Sequence, residues 1–401
     1  MRPQGLRREG HRLMDARDFF GYKNPDEEPE RREDDAGEGG APPTFEEAIT
    51  LDDPAVIKRI DASDMLGRVR DLPRQLALAR RVAGSVDLDE QHRDVDLVLV
   101  LGMGGSAIGA DLVAGIAGDR LKVPLLVHRD YGLPAWAGGR TLVIAASHSG
   151  DTVETLSGAA EARRRGLPLV VASTGGALGR QAVSDGTPYL RYEASGQPRA
   201  AIGFGLGLLH ELLARAGLLS DPDPYGPAVE ALEAMLERNA PSVETDANPA
   251  KQLAWATFGR IPTVYGAGAM AAVAHRWKTQ LNENAKAWAM FEPMPEANHN
   301  AIEGTLNPRE LSDALYVVEV RERGEAEHIG ARYRVVEELL GERATNRSVY
   351  WAEGASPLAR TLDAVAMGDL VSVYLAILYQ TDPTPVTLLA MLKERLARST
   401  D

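Results

Sequence analysis

Residues 96–113 read DLVLVLGMGGSAIGADLV, an unbroken apolar run, a glycine cluster, then small and apolar residues at helical spacing. Few folds accept that order. A short strand with no polar face is buried on both sides, which requires helices above and below it and therefore a mainly parallel α/β sheet. Gly102, Gly104, Gly105 and Ser106 form the turn between strand and helix. Glycines allow positive φ and bring bare N–H groups close to a ligand, while the helix behind them points its positive end the same way. That geometry suits a phosphate. Gly102, Gly104 and Ala107 also satisfy the dinucleotide pattern G-x-G-x-x-G/A, which wants an acidic residue about 20 positions on. The next strand-like run, 123–127, ends in His128 and Arg129, with Asp130 late. Phosphate site, dinucleotide site and plain packing turn all stay open on this stretch alone.

The alternation continues. Strands are expected near 97–101, 123–127, 141–146, 168–172 and 188–192 with helices between them, a βαβα order that predicts a doubly wound sheet. Before it, two helices are expected from Thr44 onward, with Thr44 as cap and Glu47 as its capping-box partner. Residues 1–43, with runs such as RREDDAGEGGAPP, have too few large apolar side chains to order themselves and are expected to be a disordered or loosely held acidic tail. The stretch SDPDPYGP at 220–227 is a linker by composition. After it come helices near 227–239 and 249–259, a strand near 262–265, the run GAGAMAAVA, a long helix to about 286, strands near 314–320 and 347–351, and further helices. VLVLGMGGSAIGADL and PTVYGAGAMAAVAHR echo each other, so two domains of one α/β fold are expected, 44–219 and 220–401, with the phosphate in the first because the second loop lacks the serine.

Composition narrows the function. A net charge of −14 over 401 residues argues against nucleic acid, but a few cations in a pocket suffice for a small phosphorylated substrate. No cysteine is present, so thiolate catalysis and cysteine-held metals are excluded. The histidines show no metal-ligand spacing such as H-E-x-x-H. No apolar run approaches the roughly 20 residues that span a bilayer and no signal peptide is evident, so no membrane partner and a cytoplasmic location are expected.

A second anion site is written at the end of TLVIAAS. Ser147, Ser149 and Thr152, with Gly150 between them, precede the helix-like VETLSGAAEARR. One helix cap explains one hydroxyl, and three around a glycine form a donor-rich nest. S-x-S-G-x-T after a strand, preceded by G-M-G-G-S, resembles the sugar isomerase (SIS) domain. The resemblance implies that Gly104, Gly105, Ser106, Ser147, Ser149 and Thr152 hold a sugar phosphate.

The second half supplies chemistry. Moving a carbonyl between adjacent sugar carbons requires a base for a weakly acidic C–H, a task for a carboxylate in a partly dry pocket. Glu283, in Asn282-Glu283-Asn284-Ala285-Lys286, is the candidate. Closed sugar rings must also open, and His299, in Asn298-His299-Asn300, suits proton transfer between O1 and O5 because imidazole titrates near neutrality.

GMGGS, SxSGxT, QPR, NENAK and NHN in this order, over most of 45–398, are similar to the bifunctional phosphoglucose/phosphomannose isomerases. The resemblance implies reversible conversion of glucose 6-phosphate, and of mannose 6-phosphate, to fructose 6-phosphate through a cis-enediol, with no metal or other cofactor. It makes Glu283 the base, His299 the ring-opening group donated across a homodimer interface, Arg199 the enediolate-stabilising cation and Lys393 a helper in ring opening. A threonine giving room for rotation about C2–C3 is Thr384 or Thr387. The chain departs from the family in its tail, in His148 where tyrosine is frequent, and in Asp151 where asparagine is common and where a carboxylate would repel phosphate unless turned away. A regulator that binds sugar phosphates without chemistry is the alternative function, and a nicotinamide-dependent oxidoreductase a third.

Overall fold

The computed structural model describes residues 50–308, 314–340 and 346–399. The expected tail, Thr44 and Glu47 lie outside them. Three short helices lead in, α1 Pro54–Ile60, α2 Met65–Arg70 and α3 Leu72–Gly84, where two were expected. The reason is Asp61 and Asp64, which break the run. The Asp61 carboxylate accepts the backbone N–H groups of Met65 and Leu66, and Asp64 that of Gly67, so a new helix is capped there.

The first sheet comprises β1 Leu97–Leu101, β2 Leu125–His128, β3 Thr141–Ala146, β4 Leu169–Ser173 and β5 Tyr189–Arg191, in the order β2-β1-β3-β4-β5. Every pairing is parallel. Helices α4 Gly104–Ala117, α5 Val153–Arg164, α6 Gly176–Asp185 and α7 Ile202–Arg215 are interleaved with the strands and follow them. Gly104, Gly105 and Ser106 are therefore the first turn of a helix rather than a free loop.

After α8 Tyr225–Arg238 and α9 Pro249–Thr257 comes the second sheet, β6 Ile261–Ala267, β7 Met290–Met294, β8 Leu315–Glu322 and β9 Arg347–Ala352, in the parallel order β7-β6-β8-β9. β7 was not expected from the sequence. Its Pro293 reads as a strand breaker, and it is tolerated because β7 is the edge strand, where a missing donor faces outward. Helices α10 Ala269–Asn284, α11 Glu327–Leu340, α12 Pro357–Leu378 and α13 Thr387–Ser399 complete the chain.

Helix α12 is the central post. It packs against α8, α9 and α10, and its residues from Leu358 to Leu378 are buried apart from Arg360. By length and composition it could cross a membrane, contrary to the sequence expectation, but its apolar length is wholly buried within the fold. Burying an apolar side chain contributes roughly 1.5–3 kcal/mol, so this helix orders much of the second half. Helix α4 packs against α10, and one apolar cluster runs through both sets of helices.

One buried group makes stability depend on acid. His210 of α7 is 1% exposed, edge-on to Tyr225, and neither ring nitrogen has a partner among the described residues. Burial lowers its pKa from 6.5 to about 4; nearby Asp223 and Glu211 oppose this, and Arg120 and Arg80 reinforce it. The unfolded chain takes up the proton near pH 6.5 and the folded chain only near 4, so stability falls with acidification across that window. Urea unfolding is expected to show His210→Leu losing about 2 kcal/mol less than the wild type between pH 7 and pH 5. Equal losses would remove His210 from the account.

Candidate active site

The site is built around Arg199, on the short 3-10 turn Pro198–Ala201 that enters α7. Its backbone lies on the first turn of α4, where a Cβ at Gly105 would stand 3.2 Å from the Pro198 carbonyl carbon and 3.3 Å from the Arg199 nitrogen. Glycine at 105 is what permits that approach. The glycine turn and the arginine are thus joined.

The guanidinium is 3% exposed and makes four hydrogen bonds. Nε donates to Asn284 Oδ1 at 2.6 Å, Nη1 to Glu283 Oε2 at 3.2 Å, and Nη2 to the carbonyls of Pro383 and Thr384 at 2.7 and 2.8 Å. Burial pulls its pKa down and the Glu283 carboxylate opposes that. A guanidinium is never deprotonated at working pH, so the cation stays in place. Glu283, on the last turn of α10, keeps about 29% of its side chain open. Its position is that of a carboxylate reachable by a ligand and held from behind by a fixed cation.

A second tier holds Arg199. Arg276 of α10 donates to the Arg199 carbonyl at 2.9 Å and to Asp369 of α12 at 2.6 Å. Asn284 Nδ2 donates to Ser372 Oγ at 2.8 Å, and Ser372 Oγ to the Asp369 carbonyl at 2.7 Å. Burial raises the Asp369 pKa while Arg276 lowers it. Sequence reasoning missed Arg276, Asp369 and Ser372. Their signal was an aspartate within the apolar PLARTLDAVAMGDLVSVYLAIL, because a charge in such a run must find a buried partner.

The hydroxyl loop after β3 lies beside the glycine turn. Ser106 Oγ accepts the N–H of His148 at 3.2 Å, which leaves its own proton for a ligand. Ser147 Oγ donates to Thr152 Oγ1 at 2.9 Å and accepts the Gly150 N–H at 3.1 Å, and Ser149 Oγ accepts the Asp151 N–H. Gly150 has φ +77° and a Cβ there would meet the Gly175 oxygen, so no other residue fits. Asp151 turns away, its carboxylate accepting the Ala177 N–H at the start of α6. His148 sits with Nδ1 3.3 Å from the Tyr192 hydroxyl, and burial lowers its pKa, favouring the neutral ring.

Gly104, Gly105, Ser106, Ser147, Ser149 and Thr152 are thus assembled at neighbouring strand ends, and Arg199 with Glu283 forms a pair. His299 and Lys393 stand apart. Both are exposed, His299 on the turn Glu296–His299 and Lys393 on α13, and neither bonds to Glu283 or Arg199. Of the two threonines, Thr384 lends its carbonyl to Arg199, whereas Thr387 is exposed at the start of α13. No cluster of three or more metal-ligating side chains occurs among the described residues.

The chain matches the family model described as the bacterial phospho-glucose isomerase C-terminal SIS domain over residues 246–396. It is 35% identical to a bifunctional phosphoglucose/phosphomannose isomerase of Caldicellulosiruptor bescii over 84% of this chain and 100% of that protein. It is 32% identical to one of Aquifex aeolicus, over 75% of this chain and 90% of that protein. Among solved structures, tagatose-6-phosphate ketose/aldose isomerase from Escherichia coli superposes with a TM-score of 0.61 at 15% identity, covering 82% of this chain and 97% of that one, a likeness of fold alone.

Proposed function

The chain belongs to the family of bifunctional phosphoglucose/phosphomannose isomerases, and from that premise we propose how its own residues perform an aldose-ketose isomerisation. The reaction interconverts glucose 6-phosphate or mannose 6-phosphate with fructose 6-phosphate through a cis-enediol. The Arg199–Glu283 contact carries the reading of the site, since it places a fixed cation beside an open carboxylate.

The substrate phosphate sits on the free N–H groups at the start of α4 and on the hydroxyls of Ser106, Ser149 and Thr152, while Ser147, which donates to Thr152, orients that hydroxyl and the loop. Glu283 takes the C2 proton of the open-chain aldose, the C1–C2 double bond forms as the C1=O1 electron pair moves to O1, the O2 hydroxyl proton passes to O1, and the same carboxyl returns its proton to C1 as the C2=O2 carbonyl forms. From behind the base the fixed Arg199 charge acts through its field on the developing oxyanion, an electrostatic contribution that grows only as charge develops. Glucose and mannose 6-phosphates differ at C2 and lose that difference in the enediol. One base therefore serves both if the chain can turn about C2–C3, and Thr384 is the threonine beside that space.

Ring opening needs a proton moved between O5 and O1, and His299 and Lys393 are assigned to it. Their separation from Glu283 supports a homodimer in which His299 completes the neighbouring subunit's site. The helix carrying Lys393 exposes Leu388, Leu389, Met391, Leu392 and Leu396, an apolar row that suits coverage by a second copy. The two halves divide the work, phosphate in 44–219 and proton transfer in 220–401.

Mixed subunits test both function and dimer. Glu283→Gln and His299→Asn are each expected to be nearly silent on glucose 6-phosphate. Unfolded and refolded together in equal amounts, they should recover about a quarter of wild-type activity, because half the dimers hold one intact site. No recovery would place His299 in its own subunit's site, and a His299→Asn protein active by itself would put His299 outside catalysis.

A further inference from the structure

Four non-glycine residues among those described have positive φ, and one of them, Lys286 at +54°, comes just after Ala285, the cap of the helix that ends with Glu283 and Asn284. That position after a helix favours glycine or asparagine, because a Cβ is crowded there. The lysine side chain is put to use. Its Nζ donates to the Asn284 carbonyl at 3.1 Å and to the Asp382 carbonyl at 2.7 Å. The next two carbonyls, of Pro383 and Thr384, are those that receive Arg199 Nη2. Three consecutive carbonyls are therefore gripped by two cations, and Asn284 meets both of them.

We propose that Lys286 is a positioning residue for the isomerisation, fixing the 382–384 carbonyls that aim the Arg199 guanidinium along the Glu283 carboxylate. The catalytic part of this rests on the isomerase reading above. Strain held at a left-handed lysine persists where the surrounding contacts over-determine it, which the double grip supplies. The charged groups facing the ammonium are Arg199, Asp382 and Glu283. Incomplete hydration and then the Arg199 charge push its pKa down to about 8, against the pull of Asp382 and Glu283. Below that pH the ammonium makes charge-assisted bonds to both carbonyls, and above it a neutral amine holds them less strongly. The loop should loosen, and catalysis weaken, on the alkaline side.

The test compares wild type, Lys286→Met and Lys286→Arg. Lys286→Met is expected to lower kcat by roughly 10- to 100-fold with KM changed less than about 3-fold, and to speed hydrogen exchange at the Thr384 amide by about 10-fold or more. Lys286→Arg should restore kcat to within about 3-fold and move the alkaline limb of kcat/KM from near pH 8 to above about pH 9. Wild-type kcat and amide protection in the methionine variant would overturn the proposal. An alkaline limb unmoved by arginine would do the same, and that readout decides the matter if the methionine variant does not fold. Should the wild type turn over neither sugar phosphate, the isomerase reading fails, while the exchange comparison still decides whether Lys286 holds the loop.

Discussion

Glu283→Gln is expected to lower kcat on glucose 6-phosphate by about 1,000-fold or more, with substrate affinity held within about 3-fold. The substitution is close to silent structurally. Glutamine keeps an oxygen where Glu283 Oε2 accepts from Arg199 Nη1, and the side chain is partly open, so no cavity results; the buried Arg199 cation loses its carboxylate partner but keeps its bonds to Asn284 and to the carbonyls of Pro383 and Thr384. What disappears is the proton-accepting carboxylate. In the proposed mechanism phosphate affinity resides in the hydroxyl loop and the start of α4, which this change does not touch. Steady-state kinetics beside equilibrium titration with the sugar phosphate make the comparison, and activity within about 10-fold of wild type would assign the base elsewhere.

Arg199→Lys is expected to be the next largest, lowering kcat by about 100- to 1,000-fold and costing about 2–4 kcal/mol of stability in urea unfolding. Lysine keeps the charge and loses the planar fork. One ammonium cannot reach Asn284, Glu283 and the carbonyls of Pro383 and Thr384 from the directions Arg199 uses. Some of those acceptors are left without a donor, and the cation no longer lies along the carboxylate. Both effects should appear together at a temperature where the variant remains folded. A kcat near wild type with lowered stability would make Arg199 a structural tie only.

The strands with wholly apolar cores, β1, β3 and β4, were legible to within a residue because burial on both faces leaves little choice of residue. The local build of the two loops proposed to hold the phosphate was legible for a related reason. Glycine where a Cβ collides and hydroxyls crowded at a helix start are local demands, visible without knowing what packs nearby. β7 was hidden by Pro293, whose tolerance depends on edge position, a property of the sheet order. The first turn of α4 read as loop because its glycines have poor helix propensity. Arg276, Asp369 and Ser372 could not be joined from sequence, since their bonds span two helices far apart in the chain. Lys286 was visible in NENAK, but its role lies in the carbonyl it reaches 96 residues on. His299 and Lys393 mark another limit, for in the homodimer proposed above a shared site is not closed by the fold of one subunit.

The most direct measurement is fructose 6-phosphate formation by the wild-type protein from glucose 6-phosphate and, separately, from mannose 6-phosphate, with a coupled assay. The account predicts turnover of both, since both C2 epimers pass through one enediol in front of one base. Binding of either sugar phosphate without turnover of either would contradict it and leave the site as a sensor of these ligands.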